Sequence, residues 1–317
     1  MKLRPVLAGA KTYVCGFNAA KNTAGTGPAA SARYCYSVWL RHLALAFRYG
    51  MTALPEVIAE LGPGDTLGVG LAALISGCSK YYALDVVDYA KAGKNPALFE
   101  ELVELFRARA PIPGQEEFPL LRPLLPSYEF PREALPEAQL ARALNGERLS
   151  AIREALGALG QKTTMPAGIE IRYYVPWYDA QVLEREAVDL IYSQAVLEHV
   201  DDLDNTYRAM RVWLKPGGLV SHQIDFQSHG TAEEWNGHWA YSDLIWKIIR
   251  GRRPYLLNRR PQSDHIRCLE ENGFRVLCNL PVIDRTGIER RRLARPFQYL
   301  SDADLVTSGV YLLAEKK

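Results

Sequence analysis

The chain has 317 residues, enough for one large domain with insertions, and its 48% hydrophobic and 23% charged residues are ordinary for a globular protein. No apolar run approaches the ~20 residues that a membrane-spanning helix needs, and the N-terminus carries no apolar stretch long enough for a signal peptide. Five cysteines without a C-x-x-C pair argue against a disulfide framework or a zinc site. They predict a cytoplasmic protein with reduced thiols.

The formal net charge of +2 conceals a basic region near the C-terminus. Residues 245–295 contain 13 Lys and Arg but 5 Asp and Glu. Arginine side chains match the oxygen atoms of phosphates and carboxylates, so this region predicts either an anionic ligand or a solvated cationic face. Nucleic acid is disfavoured as a partner, because the overall charge is nearly neutral and no nucleic-acid-binding module is recognisable.

The first 50 residues predict a helical segment ahead of the main fold. Residues 11–32 are rich in Gly, Ala, Asn and Thr and are typical of a mobile entry segment. Residues 32–49 predict a helix, because their large apolar side chains recur at helical spacing.

Residues 57–68 (Val-Ile-Ala-Glu-Leu-Gly-Pro-Gly-Asp-Thr-Leu-Gly) carry the most informative pattern in the chain. A short apolar strand ends in Glu60, a glycine turn follows, and an apolar helix starts directly after it. Strand, glycine turn and helix in this order open a nucleotide-binding βαβ unit. Gly62 and Gly64 let the backbone turn tightly without a Cβ in the way of a ligand. No Gly-Lys-Ser/Thr follows, so the turn is not a P-loop.

A second buried strand is predicted at residues 81–87, and it contains Asp85 near its end. An acid at this position can accept hydrogen bonds from both hydroxyl groups of a ribose. The alternative is an ordinary solvated aspartate, and the combined strand, turn, helix and acid favour the nucleotide reading.

Residues 89–168 are too long for an ordinary crossover between strands. Helical patterns at 96–110 and 137–159 flank a proline-rich run, in which proline fixes φ and removes hydrogen-bond donors. We expect an inserted helical region after the second strand, with an irregular ordered loop in its middle, that serves as a lid or a partner surface.

The remaining pattern completes an α/β fold with a doubly wound, seven-stranded, mostly parallel sheet. The last two strands are expected to form an antiparallel pair. The further strands are predicted at 168–174, 188–193, 219–226, 274–280 and 306–314, with helices at 203–214 and 263–273.

The acid and glycines of residues 60–64 resemble the first motif of class I S-adenosylmethionine-dependent methyltransferases, which is an acid, one residue and then Gly-x-Gly. The resemblance extends to residues 188–200 and to residues 214–224, which include Lys-Pro-Gly-Gly. It implies a Rossmann-like fold, S-adenosylmethionine as cofactor, and methyl transfer to a small-molecule or glycan acceptor. It also implies an N-terminal helical cap (1–50) and a methyltransferase domain (51–317).

Cofactor contacts are implied at the carboxyl ends of the first four strands. The glycine turn and the acid after the second strand hold the cofactor, and Trp177 lies in the loop where this family forms its adenine pocket. The implied cofactor-binding residues are Glu60, Gly62, Pro63, Gly64, Asp85, Val86, Trp177, Ser193 and Gln194.

The acceptor is expected beside residues 227–262, which we call the acceptor-side segment. Aromatic residues and histidines after the end of a strand lie where doubly wound sheets bind ligands. The predicted substrate-binding residues are His238, Trp239, Tyr241 and Arg259.

Transfer to a hydroxyl group requires a base, and O-methylation with a histidine base is expected, His199 first and His229 second. Both histidines follow central strands whose carboxyl ends face one cleft. A metal is disfavoured, because Ala195 stands where some quinone-pathway methyltransferases have the first Glu of Glu-x-x-Glu-His.

Two other function classes stay open. One is a nucleotide-dependent enzyme of different chemistry, such as a sugar-nucleotide oxidoreductase. The acidic turn and the absence of a Tyr-x-x-x-Lys pair in a suitable helix argue against it. The other is a catalytically silent cofactor-binding subunit, which the intact motifs disfavour.

Overall fold

The computed structural model describes residues 3–14, 31–88, 90, 92–160, 168–177, 179–253 and 255–317. The helices and strands are, in chain order, α1 (Leu3–Lys11), α2 (Ala32–Arg48), β1 (Val57–Leu61), α3 (Gly68–Ser76), β2 (Lys80–Leu84), α4 (Asn95–Arg107), α5 (Glu137–Ala143), α6 (Gly146–Gly157), β3 (Glu170–Tyr174), β4 (Val188–Gln194), α7 (Leu203–Trp213), β5 (Leu214–Asp225), α8 (Asp243–Arg250), α9 (Gln262–Glu271), β6 (Phe274–Ile283), α10 (Asp302–Val306) and β7 (Thr307–Lys316).

The strands form one sheet in the order β3-β2-β1-β4-β5-β7-β6. The first five strands in this order run parallel, and β7 pairs antiparallel with both β5 and β6. The prediction of a doubly wound, mostly parallel seven-stranded sheet with a final antiparallel pair is therefore confirmed. The order reverses between β1 and β4, which is where such sheets bind ligands.

Helices cover both faces of the sheet and divide its side chains into two cores. Ile58 of β1 faces the core that contains α2, α3 and α4. Its neighbour Ala59 points to the opposite core, which contains α7 and α9. The alternation follows from the two-residue repeat of a strand, and near-complete burial on both faces explains why the central strands read as continuous apolar runs.

Helix α2 is a core element, as its spacing predicted. The Ser31 side chain caps its first turn, and Trp39 is fully buried with its Nε1–H donating to Ser76 Oγ at 2.7 Å. Helix α1 was not predicted; it packs on α8, where Gly9 allows the close approach of the Ile248 backbone. Most of the predicted entry segment lies outside the described residues.

The inserted region differs from its prediction in one respect. The prediction of a single helix at 137–159 is wrong, because α5 and α6 are separate helices. Asn145 lies between them and caps α6, since its side chain accepts a hydrogen bond from the Glu147 N–H at 2.8 Å. The proline-rich loop before α5 packs into the core, and the fully buried Arg41 of α2 donates to the Pro113 carbonyl at 3.0 Å. The loop is thereby fixed to α2.

The boundaries of two strands differ from those predicted from the sequence. Strand β2 ends at Leu84, so Asp85 is the first residue beyond it, and β5 begins at Leu214 rather than at residue 219. Cys35, Cys78, Cys268 and Cys278 are buried and form no disulfide among the described residues. Within the described ranges, no helix has the length and apolar character to cross a membrane.

Candidate functional site

Backbone hydrogen bonds join the carboxyl ends of β1, β2 and β3 into one edge. The N–H of Gly62 donates to the Leu84 carbonyl at 2.8 Å, and the N–H of Asp85 donates to the Tyr174 carbonyl at 3.0 Å. The N–H of Trp177 then donates to the Asp85 carbonyl at 3.1 Å. The glycine turn, the acid and the tryptophan that the sequence assigned to the cofactor are therefore neighbours.

The glycine turn adopts the conformation that its glycines permit. Gly62 and Gly64 have φ of 66° and 74°, in the left-handed region that favours glycine. A Cβ at Gly62 would lie 2.6 Å from Cγ2 of Val196, in the loop after β4. Gly62 is therefore required both by the turn and by the close approach of this loop.

Asp85 is the best-placed polar group of the cofactor edge. Its carboxylate is nearly buried, and Oδ1 accepts the Val86 N–H at 2.7 Å. Burial raises the pKa of Asp85, and hydrogen bonds from the backbone of Val86, Val87 and Gly64 oppose the rise. A carboxylate has about four lone-pair sites, so it can accept ribose hydroxyl groups in addition to these donors. The Asp85 carboxylate is therefore a hydrogen-bond acceptor that fits the ribose hydroxyl groups of S-adenosylmethionine.

Glu60 has a supporting position in the core. Its buried carboxylate accepts hydrogen bonds from the hydroxyl groups of Tyr81 and Tyr192, which lie on the two strands beside β1. Burial raises the pKa of Glu60 to about 7, and the two tyrosines and the backbone of Gly70 oppose the rise. The side chain fixes β1 to its neighbours and to the start of α3.

Three other predicted cofactor residues also contact protein groups. Ser193 Oγ lies 2.8 Å from His222 Nδ1 in the core. The amide of Gln194 donates to the Arg122 carbonyl at 3.1 Å, which joins β4 to the inserted region. The Trp177 ring packs edge-on against Trp213, with ring centroids 5.6 Å apart.

The two histidines predicted as bases lie together at the carboxyl ends of β4 and β5. The ring centroids of His199 and His229 are 5.2 Å apart. His229 Nε2 lies 3.1 Å from Oδ2 of Asp225, the last residue of β5. Sequence reasoning paired Asp225 with His229 only as residues that could complete a disfavoured metal site, and it did not assign Asp225 a role in orienting the histidine.

His199 is held in its neutral form. Burial and the neighbouring His229 lower its pKa to about 4, and the backbone of Tyr255 opposes this shift. Its Nδ1 is buried and has no hydrogen-bonding partner in the described part of the chain. The ring is therefore uncharged at neutral pH.

Glu198 is a buried carboxyl group that sequence reasoning did not select. Its two oxygens are buried without a hydrogen-bonding partner among the described residues. Burial and the Asp225 carboxylate raise its pKa well above the ordinary value. The described residues contain no group of three or more His, Cys, Asp or Glu side chains arranged to hold a metal ion.

The aromatic residues of the acceptor-side segment are packed inside the protein. Trp239 is fully buried, and its Nε1–H donates to the Arg259 carbonyl at 2.9 Å. Tyr241 is also buried, and its hydroxyl donates to the Thr231 carbonyl at 3.0 Å. His238 is buried beside Trp239, and burial lowers its pKa to about 3.

Arg259 is likewise an internal group. Its guanidinium pairs with Asp243 at 2.7 Å and lies over the rings of Trp246 and Phe297, at 4.7 and 4.6 Å from their centroids. Other arginines of the basic region also pair with acids of this chain. These pairs are Arg250–Asp201, Arg260–Asp264, Arg290–Asp302, Arg291–Glu289 and Arg292–Glu234.

An open cleft of about 530 Å³ lies at His229. It is formed by the beginning of the acceptor-side segment and one residue of the loop after β6. The lining residues are Gln227, Ser228, His229, Gly230, Ala232, Glu233, Glu234, Trp235 and Thr286.

The sheet order, the glycine turn after β1 and the buried acid after β2 define a Rossmann-like methyltransferase that uses S-adenosylmethionine. A family model described as a methyltransferase domain matches residues 72–279, more than half of the chain, and the chain belongs to this family. The match covers Asp85, His199 and His229 and begins after the glycine turn.

Solved structures of S-adenosylmethionine-dependent methyltransferases resemble the chain at low identity. One from Methanosarcina mazei is 13% identical, with 86% of this chain and 96% of that chain covered and a TM-score of 0.43. One from Mesorhizobium loti is 16% identical, with 86% and 96% covered and a TM-score of 0.40. No curated protein matches the sequence.

Proposed function

We propose that this chain methylates a hydroxyl oxygen of a small-molecule or glycan acceptor, with His229 as the base. The observation that carries the proposal is the contact between His229 and Asp225 at the end of β5. This contact lies at the end of β5, next to the end of β4. In the sheet order, β1 and β4 separate β5 from β2, and the predicted ribose acid Asp85 follows β2. Cofactor and acceptor would then occupy adjacent parts of one edge.

The two histidines differ in their ability to accept a proton. The low pKa of His199, about 4, makes it a weak base. His229 is 30% exposed, and its Nε2–H donates to Asp225, which leaves Nδ1 to take a proton from the acceptor. A carboxylate in this position orients the imidazole and stabilises the imidazolium that forms. These contacts favour His229 over His199, the reverse of the order expected from sequence.

Bound S-adenosylmethionine supplies an electrophilic methyl group, which ends on the acceptor oxygen as the sulfonium becomes a thioether. On the cofactor side, we propose that Asp85 receives the ribose hydroxyl groups. The backbone of Gly62, Pro63, Gly64 and Val86 shapes the adjoining surface. Trp177, Ser193 and Gln194 support this surface through their contacts with Trp213, His222 and the inserted region. We also retain the division into a helical cap (1–50) and a methyltransferase domain (51–317).

The test compares His229→Gln and His199→Gln in transfer of labelled methyl from S-adenosylmethionine to acceptors in a metabolite extract. A general base contributes about 10²–10⁴ in rate, so His229→Gln should lose most turnover and the alkaline plateau of the pH profile. His199→Gln should retain more turnover, and both should bind the cofactor as the native protein does. If His229→Gln keeps native turnover and pH profile, the base assignment is wrong.

A further inference from the structure

The cleft at His229 has the chemistry of a site for one class of acceptor. We propose that it binds a polyhydroxylated molecule without anionic groups, such as the sugar ring of a glycoside. This inference rests on the proposed role of His229 as the base and names the acceptor that the base would serve. The volume of about 530 Å³ lies within the range of small-molecule sites.

The cleft is built on a rigid loop. The N–H of Thr231 donates to the Ser228 carbonyl at 2.8 Å, and the Thr231 carbonyl accepts from the Tyr241 hydroxyl at 3.0 Å. The buried Asn236 accepts the Ile288 N–H at 2.6 Å, which fixes the segment to the loop after β6. A preformed loop can recognise a ligand with little ordering cost.

The lining is polar, and no lysine or arginine contributes to it in the part of the chain that the structure describes. It offers the amide of Gln227, the hydroxyl groups of Ser228 and Thr286, and the carboxylates of Glu233 and Glu234. Carboxylate and amide oxygens accept hydrogen bonds from hydroxyl groups. They repel phosphates and carboxylates, so the cleft disfavours an anionic acceptor.

Two arginines of the basic region are already paired with acids of this chain. Arg292 already pairs with Glu234 at the cleft wall. Arg259, the arginine predicted to bind an acceptor, is buried against Asp243. An anionic acceptor would have to break one of these pairs to gain either guanidinium.

Trp235 supplies an unused hydrogen-bond donor. Its side chain lines the cleft and is 8% exposed, and its Nε1–H is buried without an acceptor among the described residues. An unsatisfied buried donor costs free energy, and a hydroxyl oxygen of the acceptor would satisfy it. A sugar ring has apolar C–H faces, which can pack on the indole, and hydroxyl groups, which can hydrogen-bond to the polar side chains beside it.

The experiment uses three probes that each have one sugar ring: methyl glucoside (neutral), glucuronic acid (acidic) and glucosamine (amino). Binding to the native protein is measured by saturation-transfer NMR and titration in the presence of S-adenosylhomocysteine. The variants are Glu233→Gln and Trp235→Phe, with Glu289→Gln as a carboxylate control outside the cleft. We expect the neutral and amino probes to bind more tightly than the acidic probe, each cleft variant to weaken the neutral probe ~5–10-fold, and the control to leave it unchanged.

The assignment would be overturned by preference for the acidic probe, by no binding of the neutral probe, or by equal binding of the neutral probe to the native protein and both cleft variants. These outcomes are separate from a failure of the base proposal, which is read from the turnover and pH profile of His229→Gln. Cofactor affinity of each variant is measured in parallel, so that loss of probe binding is distinguished from loss of folding.

Discussion

The carboxylate of Asp225 lies 3.1 Å from Nε2 of His229 and joins the end of β5 to the loop that lines the open cleft. The same loop brings the His229 ring to 5.2 Å from the ring of His199, which follows β4. Two adjacent strand ends thus contribute one polar group each to the same place. Doubly wound sheets bind ligands outside the carboxyl ends of their strands, at the switch point of the strand order. The ends of β4 and β5 lie next to the switch point between β1 and β4.

Replacement of Asp225 by asparagine tests the contribution of this carboxylate. The amide keeps the size of the side chain but cannot stabilise a positive charge on His229, so turnover should fall by roughly 10²-fold. Methyl transfer is measured together with cofactor affinity, which should not change. Asp302→Asn is the control, because Asp302 is an exposed partner of Arg290 far along the chain. Native turnover in Asp225→Asn would remove the carboxylate from the mechanism.

Replacement of Asp85 by alanine tests the ribose assignment. The variant removes an acceptor at the end of β2, and we expect cofactor binding to weaken by roughly 1–3 kcal/mol. Calorimetry with S-adenosylmethionine measures the change, and Asp88→Ala serves as a control with an exposed acid from the same loop. Equal affinity in Asp85→Ala and the native protein would show that the ribose binds elsewhere.

Alanine at Gly62 tests the approach of the loop after β4. The added Cβ would lie 2.6 Å from Val196 Cγ2, on a backbone with φ of 66°. Gly217→Ala is a matched control, because Gly217 has φ of 74° and nothing within 4 Å of a Cβ. We expect Gly62→Ala to lose about 1–3 kcal/mol more stability in urea unfolding than the control.

The double variant Gly62→Ala with Val196→Ala separates the two causes. It should recover the part of the loss that comes from the steric contact and leave the part that comes from φ. Equal losses in Gly62→Ala and Gly217→Ala would mean that the loop moves away at no cost.

Much of the fold could be predicted from the sequence, because its signals are local. The glycine turn, the apolar strands and the helical periodicity of α2 each lie within about one element of sequence. The break between α5 and α6 had a local signal as well, in the capping residue Asn145, but the helical pattern on both sides concealed it. Helix α8 was missed because its aromatic surroundings suggested a binding loop.

The candidate site was harder to predict, because its contacts join distant parts of the chain. Trp239 and Arg259 both belong to the acceptor-side segment, and its aromatic and basic composition suggests ligand binding. Their burial depends on contacts with each other and with Phe297. The histidine pair was predictable from the parallel strand ends alone, whereas the Asp225 contact depends on the backbone at His229, which has a φ of 45°.

Arg259 is expected to stabilise the acceptor-side segment rather than to bind the acceptor. It is 8% exposed, pairs with Asp243 and lies between two aromatic rings. Arg259→Gln should destabilise the protein by about 2–4 kcal/mol, because it leaves Asp243 and the Tyr241 carbonyl without their donor. Unfolding in urea measures the loss, and Arg291→Gln is the control, because Arg291 forms an exposed pair.

The affinity for the acceptor provides the second measurement for Arg259. A positioning role within the fold predicts that KM measured below the unfolding temperature changes little in Arg259→Gln. A large rise in KM with unchanged stability would instead place the guanidinium at the acceptor.

Buried histidines should make the protein lose stability as the pH falls. Burial lowers the pKa of His42 to about 4, and that of His222 and His265 to about 3. An unfolded histidine titrates near ~6.5, so below that pH the unfolded state binds protons that the folded state does not. Each such histidine then removes about 1.4 kcal/mol of stability per pH unit until its folded pKa is reached.

Glu60 acts in the opposite direction over part of this range. Its folded pKa of about 7 lies above the ordinary value of 4.5, so its contribution grows as the pH falls from 7 towards 4.5. Among the described residues, five histidines with lowered pKa (His42, His199, His222, His238 and His265) outweigh three carboxyl groups with raised pKa (Glu60, Asp85 and Glu198). The net free energy of unfolding should therefore fall between pH 6.5 and 4.5.

Urea unfolding of His265→Gln at pH 7, 6 and 5 isolates one of these histidines. The variant loses the hydrogen bond between His265 Nδ1 and the Tyr207 hydroxyl at every pH. Because it also lacks one titrating group, its stability should decline less steeply with falling pH than that of the native protein. The difference in slope should reach about 1.4 kcal/mol per pH unit below pH 6. Leu269→Val is the control, since it removes one buried methylene near α7 without an ionisable group and should lower stability equally at each pH. Parallel curves for His265→Gln and Leu269→Val would show that His265 is protonated in the folded state as readily as in the unfolded chain.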